Sequence, residues 1–169
     1  MYAVLHNPAY RQKYELNLRR NFPRVPFYDD FRKWSAWGKK LMGLHINYET
    51  IKPYNLEREE INLKTPYKDR KIKIKLKADK ANGTIEIDEL TTLKGIPESA
   101  WEYILGNRCA LEWILDQYKE KKPKDATIRT KFNTYKFEDY KEHVIDLLKR
   151  VCSVSVETTR IVKEIEAER

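Results

Sequence analysis

Between Lys71 and Lys77 the chain reads KIKIKLK, a strict alternation of lysine with Ile72, Ile74 and Leu76. Alternation with a period of two predicts a strand with one apolar face, because successive side chains of extended backbone point to opposite sides. The turn-forming DKANG follows, and then TIEIDE, in which Ile85 and Ile87 alternate with Thr84, Glu86 and Asp88. This pattern predicts an antiparallel hairpin over Lys71–Asp88 with a connection of four or five residues. TTLKGI (91–96) reads as a third strand, and YNLEREEINLK (54–64) is a candidate fourth.

Helical signals flank this region. Asn7-Pro8 combines an N-cap residue with proline at the first helical position. Beyond it Tyr10, Tyr14 and either Leu16 or Leu18 fall on one stripe. Pro23 and Pro26 forbid a continuous helix, since proline lacks the N–H and clashes with the preceding turn. Asp29 or Asp30 then caps a second amphipathic helix to about Asn47, with Phe31, Trp34 and Trp37 expected to be buried. After the sheet, Pro97 opens a short helix, and Gly106-Asn107 is expected to end it and cap the next, with Leu111, Ile114, Leu115 and Tyr118 as its stripe. TIRTKFNTYKF (127–137) reads as a loop, and a long helix is expected from about Glu138 to the C-terminus. The expectation is an α+β fold in one domain over 1–169: helical over 1–48, β-rich over 49–95 and helical over 96–169.

A formal net charge of +8 favours polyanionic partners, nucleic acid before an anionic membrane. No apolar run approaches the ~18–20 residues of a membrane span, and there is no signal-peptide core, so a cytoplasmic location away from membranes is expected. Cys109 and Cys152 stand alone within helical patterns and read as buried thiols in a reducing compartment. The opening MYAVLHNPAYR is apolar from the start, as expected of a piece cut from a longer polypeptide.

Catalytic signatures are missing from the sequence. His6, His45 and His143 share no ligand spacing with one another or with either cysteine. There is no HExxH, Gly-rich phosphate loop or GxSxG, so neither metal nor cofactor is expected. Glu86 and Asp88 share a strand face, but no Glu-x-Lys follows on a neighbouring strand as metal-dependent nucleases commonly require.

The basic features carry more. From Lys64 to Lys80 there are eight basic residues against Asp69 and Asp79. Lys71, Lys73, Lys75 and Lys77 would lie roughly 6.5–7 Å apart on one strand face, a row able to follow a phosphate backbone. Alternatively Glu86 and Asp88 pair with them across the hairpin and leave only a solvated face. In the 127–137 segment Arg129, Lys131, Asn133 and Lys136 are interleaved with Phe132, Tyr135 and Phe137. Arg and Asn can read guanine and adenine edges, or the aromatics pin the segment to the core and leave its charges in water. Arg19, Arg20 and Arg24 form a third cluster, where a structural role is favoured.

Three long blocks, YRQKYELNLRRNFPRVPFYDDFRKWSAWGKKLMGLHINYE (10–49), GTIEIDELTTLKGIPESAWEYILGNRCALEWILDQYKEKKPKD (83–125) and SVETTRIV (155–162), resemble the C-terminal target-recognition part of type ISP restriction-modification enzymes and helicase-like adenine-specific DNA methyltransferases. The resemblance implies double-stranded DNA as partner, read on behalf of methyltransferase and ATPase domains elsewhere in a parent polypeptide. It implies that this part is non-catalytic: HNPAY (6–10) only mimics a methyltransferase motif, with alanine where the second proline belongs. The alternative is a scaffold lobe that docks the methyltransferase or supports recognition loops without touching DNA.

Overall fold

The computed structural model describes residues 1–62, 71–121, 123–131 and 135–168, with the side chains of 129–131 outside that description. Three short helices open the chain: α1 (Tyr2–His6), α2 (Pro8–Lys13) and α3 (Glu15–Leu18). The Asn7 side chain caps α2, accepting from the N–H groups of Ala9 at 2.9 Å and Tyr10 at 3.3 Å. Tyr10 is buried and Leu16 is 68% exposed, so the stripe continues to Leu18. α4 (Phe31–Ile46) begins at Asp30, whose carboxylate accepts from the Lys33 N–H at 2.9 Å. Trp34, Trp37 and Leu41 are buried, but Phe31 is 77% exposed, contrary to the pattern read from the sequence. In the first turn the buried position is taken by Trp34, on which Tyr28 already stacks.

The sheet holds β1 (Glu57–Glu60), β2 (Ile74–Asp79), β3 (Thr84–Asp88) and β4 (Thr91–Lys94) in the order β1-β4-β3-β2, with every pairing antiparallel. The candidate fourth strand is therefore present as β1. Gly83 turns the hairpin at φ +61, where a Cβ would come within 2.7 Å of the Ile96 carbonyl oxygen; only glycine fits without a shift. The register moves from Ile74 opposite Asp88 to Lys77 opposite Glu86, so Lys75 and Leu76 together face Ile87, a β-bulge.

α5 (Glu98–Glu102) ends sooner than expected. Ile104–Leu105 (β5) and Arg108–Cys109 (β6) form a small ribbon around Gly106, and α6 (Ala110–Gln117) follows. The first turn of α6 is closed by Glu112, whose carboxylate accepts from the Cys109 N–H at 3.0 Å. α7 (Ala126–Lys131) precedes a 3-10 turn at Phe137–Tyr140 and the long α8 (Lys141–Ala167). Val144, Leu148 and Cys152 on the first half of α8 join the sheet and α6 in one apolar cluster. Ile161 and Ile165 on its second half carry a second cluster with Ala3, Val4, Tyr10, Trp34, Trp37 and Leu41. Both cysteines are buried, and burial pushes the Cys152 thiol up to about 12. Among the described residues no helix is long and apolar enough to cross a membrane.

Two polar contacts join these parts. Asp88 is 4% exposed and meets Lys141 Nζ at 2.8 Å, while its carboxylate also accepts from the N–H groups of Leu90 and Thr91. Burial pushes the Asp88 carboxyl up, but the Lys141 ammonium and these N–H donors outweigh it and hold it below its ordinary value. His45 Nδ1 lies 2.6 Å from Tyr2 Oη and its Nε2 lies 3.0 Å from Thr158 Oγ1, and the ring stacks on Tyr103. Burial, reinforced by neighbouring His6, pushes His45 down to about 4.

Asp88→Ala is expected to lower the unfolding free energy by about 3 kcal/mol, because it strands a half-buried ammonium. A urea titration showing less than about 1 kcal/mol lost would refute this. The lowered His45 value makes the folded state bind fewer protons, so its contribution is complete above pH 6.5 and is lost as pH falls toward about 4. His45→Gln should therefore flatten the stability–pH curve in that window by on the order of 1 kcal/mol. An unchanged curve in chemical denaturation would exclude this role.

Candidate nucleic-acid interface

The lysine run does not form one continuous strand. Lys71 and Lys73 precede β2, although the Lys73 carbonyl still accepts from the Glu89 N–H at 3.0 Å and keeps this stretch beside the sheet. The bulge places Leu76 at φ +44, a left-handed conformation that strains a non-glycine residue by on the order of 1–2 kcal/mol. Its burial at 2% exposure in the main cluster offsets that strain. The bulge also divides the lysines. Lys71, Lys73 and Lys75 line an open groove of about 500 Å³ with Ile72, Ile74 and Leu76, closed on the other side by Lys119 and Glu120 just past α6. Lys77 lies outside that lining, opposite Glu86 in the register. Of the two pairings considered across the hairpin, Lys75 meets Glu86 at 2.9 Å, whereas Asp88 is turned to Lys141. Among the described residues Lys71, Lys73 and Lys77 form no ion pair with a carboxylate.

The second predicted segment returns to the same place. Tyr135 Oη donates to the Tyr118 carbonyl at 2.9 Å, and the Phe137 N–H donates to Glu120 Oε1 at 3.0 Å. Phe137 is 1% exposed, so it fastens the segment to the core. Lys136 between them is extended, at φ −126 and ψ 128, and exposed. Tyr135 and Phe137 thus face the protein while Lys136 faces water, as period-two backbone requires. The segment from 126 is not all loop: Asp125 accepts from the Ile128 N–H at 2.9 Å and starts α7, which carries Arg129 and Lys131 on its backbone. Their side chains, and Asn133, lie outside the described residues.

The residues just past α6 are therefore the junction of the site. Glu120 lines the lysine groove and at the same time anchors Phe137, so the lysine groove and the segment that carries Lys136 both adjoin this junction. Lys119 and Glu120 were not among the residues singled out from the sequence. The only signal for them is the run KEKK (119–122), which reads as a solvated helix end. A neighbouring groove of about 340 Å³ shares Leu76 and Lys119, but its charges are matched: Lys80 with Glu112 at 2.9 Å and Arg108 with Asp116 at 3.3 Å. In the first groove Lys75 meets Glu86 and Lys119 lies 3.9 Å from Asp116, which leaves Lys71 and Lys73 as its lysines without an ion pair among the described residues. Among the described residues no group of three or more His, Cys, Asp or Glu is placed to hold a metal ion.

A basic groove on a small α+β scaffold, assembled from a hairpin and a helix end, suits a module that reads an extended anionic polymer. The model of the Type ISP C-terminal specificity domain matches residues 1–147, and the chain belongs to that family. No curated protein matches significantly. Among solved structures, the chain is 56% identical to part of DrdV in its cryo-EM complex with DNA, with a TM-score of 0.88 over 99% of this chain and 17% of that one. It is 33% identical to a nuclease-deletion mutant of the Type ISP restriction-modification enzyme LlaGI in complex with a DNA substrate mimic, with a TM-score of 0.73 over 97% of this chain and 15% of that one. With the ATP-dependent Type ISP enzyme LlaBIII bound to DNA the identity is 29% and the TM-score 0.70, over 99% of this chain and 11% of that one. The chain thus corresponds to a minor fraction of each of these proteins.

Glu120→Ala removes the acceptor that holds the Phe137 N–H. Loss of a charge-assisted bond of this kind is expected to speed exchange of that amide by about tenfold. Unaltered protection in hydrogen-exchange NMR would show that Glu120 does not fasten the segment.

Proposed function

We propose that the chain is the DNA-reading C-terminal lobe, over 1–169, of a longer restriction-modification polypeptide. The observation that carries this reading is the convergence of Lys71, Lys73, Lys75 and Lys119 with the returning Lys136 segment on one junction past α6. The 56% identity to a chain in complex with DNA supports the choice of polymer. The lysines neutralise backbone phosphates and release condensed counterions, which supplies affinity without sequence information. Arg129, Lys131 and Asn133 are the side chains offered to base edges, Arg and Lys to guanine and Asn to adenine. Lys77, past the bulge, is assigned a peripheral phosphate contact at most.

In this reading the lobe is non-catalytic and works in the cytoplasm. It positions the duplex so that a methyltransferase elsewhere in the polypeptide receives the target adenine, which must leave the stack to be modified. ATPase and nuclease activities belong to other parts of such a polypeptide. No cofactor or metal is assigned to this lobe.

Binding of duplex DNA should weaken with salt, with a slope in log–log form of about −0.9 per phosphate neutralised. Replacing Lys71, Lys73 and Lys119 together with alanine should reduce that slope by roughly 2–3 and weaken all sequences alike. Arg129→Ala or Asn133→Ala should instead narrow the gap between cognate and random duplex by about 1–3 kcal/mol. Fluorescence anisotropy at several salt concentrations reads both effects. Unchanged slope and unchanged discrimination in these variants would assign the lobe to scaffolding.

A further inference from the structure

The segment joining α3 to α4 presents aromatic rings to water. Phe22 is 95% exposed, Phe27 105% and Phe31 77%, with Leu16 at 68% and Val25 at 41% close by in the chain. Single exposed apolar residues are ordinary, but several large ones in one short stretch mark an interaction surface. Nor are these rings free to fold inward. Tyr10 Oη donates to the Arg24 carbonyl at 2.9 Å, and Tyr28 stacks on Trp34 with ring centroids 3.9 Å apart. The loop is thus held at its middle and its end, and Pro23 and Pro26 restrict the backbone between. Tyr10, Tyr28 and Trp34 belong to the N-terminal apolar cluster, and the three phenylalanines take no part in it.

This surface stands apart from the basic groove. Lys33, in the first turn of α4, pairs with Glu168, and Trp37 Nε1 donates to Glu164 at 3.0 Å, which places the loop by the C-terminal end of α8. The groove lies at the other end, where Tyr118 Oη lies 3.0 Å from Nε2 of His143. Between His143 and Glu164 run 21 residues of α8, about 32 Å at 1.5 Å per residue. Arg20 and Arg24 flank the rings and form no ion pair with a carboxylate among the described residues, whereas Arg19 pairs with Glu15.

We infer that Phe22, Phe27 and Phe31 anchor this lobe to the rest of its polypeptide, entering an apolar socket whose rim carries carboxylates facing Arg20 and Arg24. Aromatic anchors with arginine at the edge are the usual make-up of the energetic centre of a protein interface. The matching solved chains provide the material for a socket, since 83–89% of their length lies outside the matched part, the complement of 17% and 11%. The inference rests on the reading of the lobe as one part of a longer polypeptide, and it assigns this face to protein and the groove to DNA.

Hydroxyl-radical footprinting tests it, comparing the 169-residue chain with the longer polypeptide that carries it, in the absence of DNA. Phe22 and Phe27 should be oxidised about tenfold less in the longer polypeptide, as expected for an interface that excludes water. That protection should not change on adding a short duplex or over about a hundredfold range of protein concentration. Equal oxidation in both chains would overturn the inference. Protection that appears only with DNA would make the loop a DNA-stacking wedge, and protection that grows with concentration would make it a contact between copies; either overturns it. The salt slope of DNA binding is measured independently, so failure here leaves the groove's assignment to be judged separately.

Discussion

Both apolar clusters of the described chain rest on α8. Its stripe buries Val144, Leu148 and Cys152 under the sheet and α6, and further along Ile161 and Ile165 under the N-terminal helices. Without that common floor neither half buries enough apolar surface to offset the entropy of ordering its own chain. The polar contacts follow the same line: Lys141 at the start of α8 holds Asp88 of the sheet, Thr158 meets His45, and Glu164 receives the Trp37 N–H. The first couples α8 to the sheet, and the other two couple it to α4.

The groove is a by-product of how the sheet meets α6. A regular β2 would place all four lysines in one even row. The bulge at Leu76 keeps that side chain in the core but breaks the row, so that three lysines line the groove with Lys119 and the fourth is left outside it. Among the described residues of the lining Glu120 supplies the one negative charge, and it uses that charge to hold the Phe137 backbone. Charge and position are combined in one residue: the carboxylate that lowers the groove's positive potential also brings the Lys136 segment to its edge.

Element types were legible wherever periodicity was strong. The alternation in TIEIDE and in the second half of KIKIKLK, the Asn7 and Asp30 caps, the breaks at Pro23 and Pro26 and the long terminal stripe all report local backbone preference, and each appears where that preference puts it; Lys71–Lys73 fall outside β2. What escaped the pattern depends on tertiary choice. Phe31 sits at a helical spacing that suggests burial, but Trp34 takes the one inward place in that turn. The bulge leaves no trace in the alternation, since Leu76 remains apolar and inward on either side of a register shift. Gly106 was read as a helix stop; it turns a two-residue ribbon instead, because at φ +71 it serves either use equally. Lys119 and Glu120 look like a solvated helix end until the strand is laid beside them.

The shared floor has a consequence for how the chain is made. Ala3, Val4 and Tyr10 are synthesised before the surface that covers them, around Ile161 and Ile165, which follows about 150 residues later at roughly 5–20 residues per second. For several seconds Trp34, Trp37 and Leu41 can pack only on Tyr28 and the N-terminal helices, without the surface around Ile161 and Ile165, beside three phenylalanines that remain outward even after folding. In that interval the N-terminal half exposes the apolar face that Ile161 and Ile165 later cover, so the order of synthesis bears on how long it is open to misassembly.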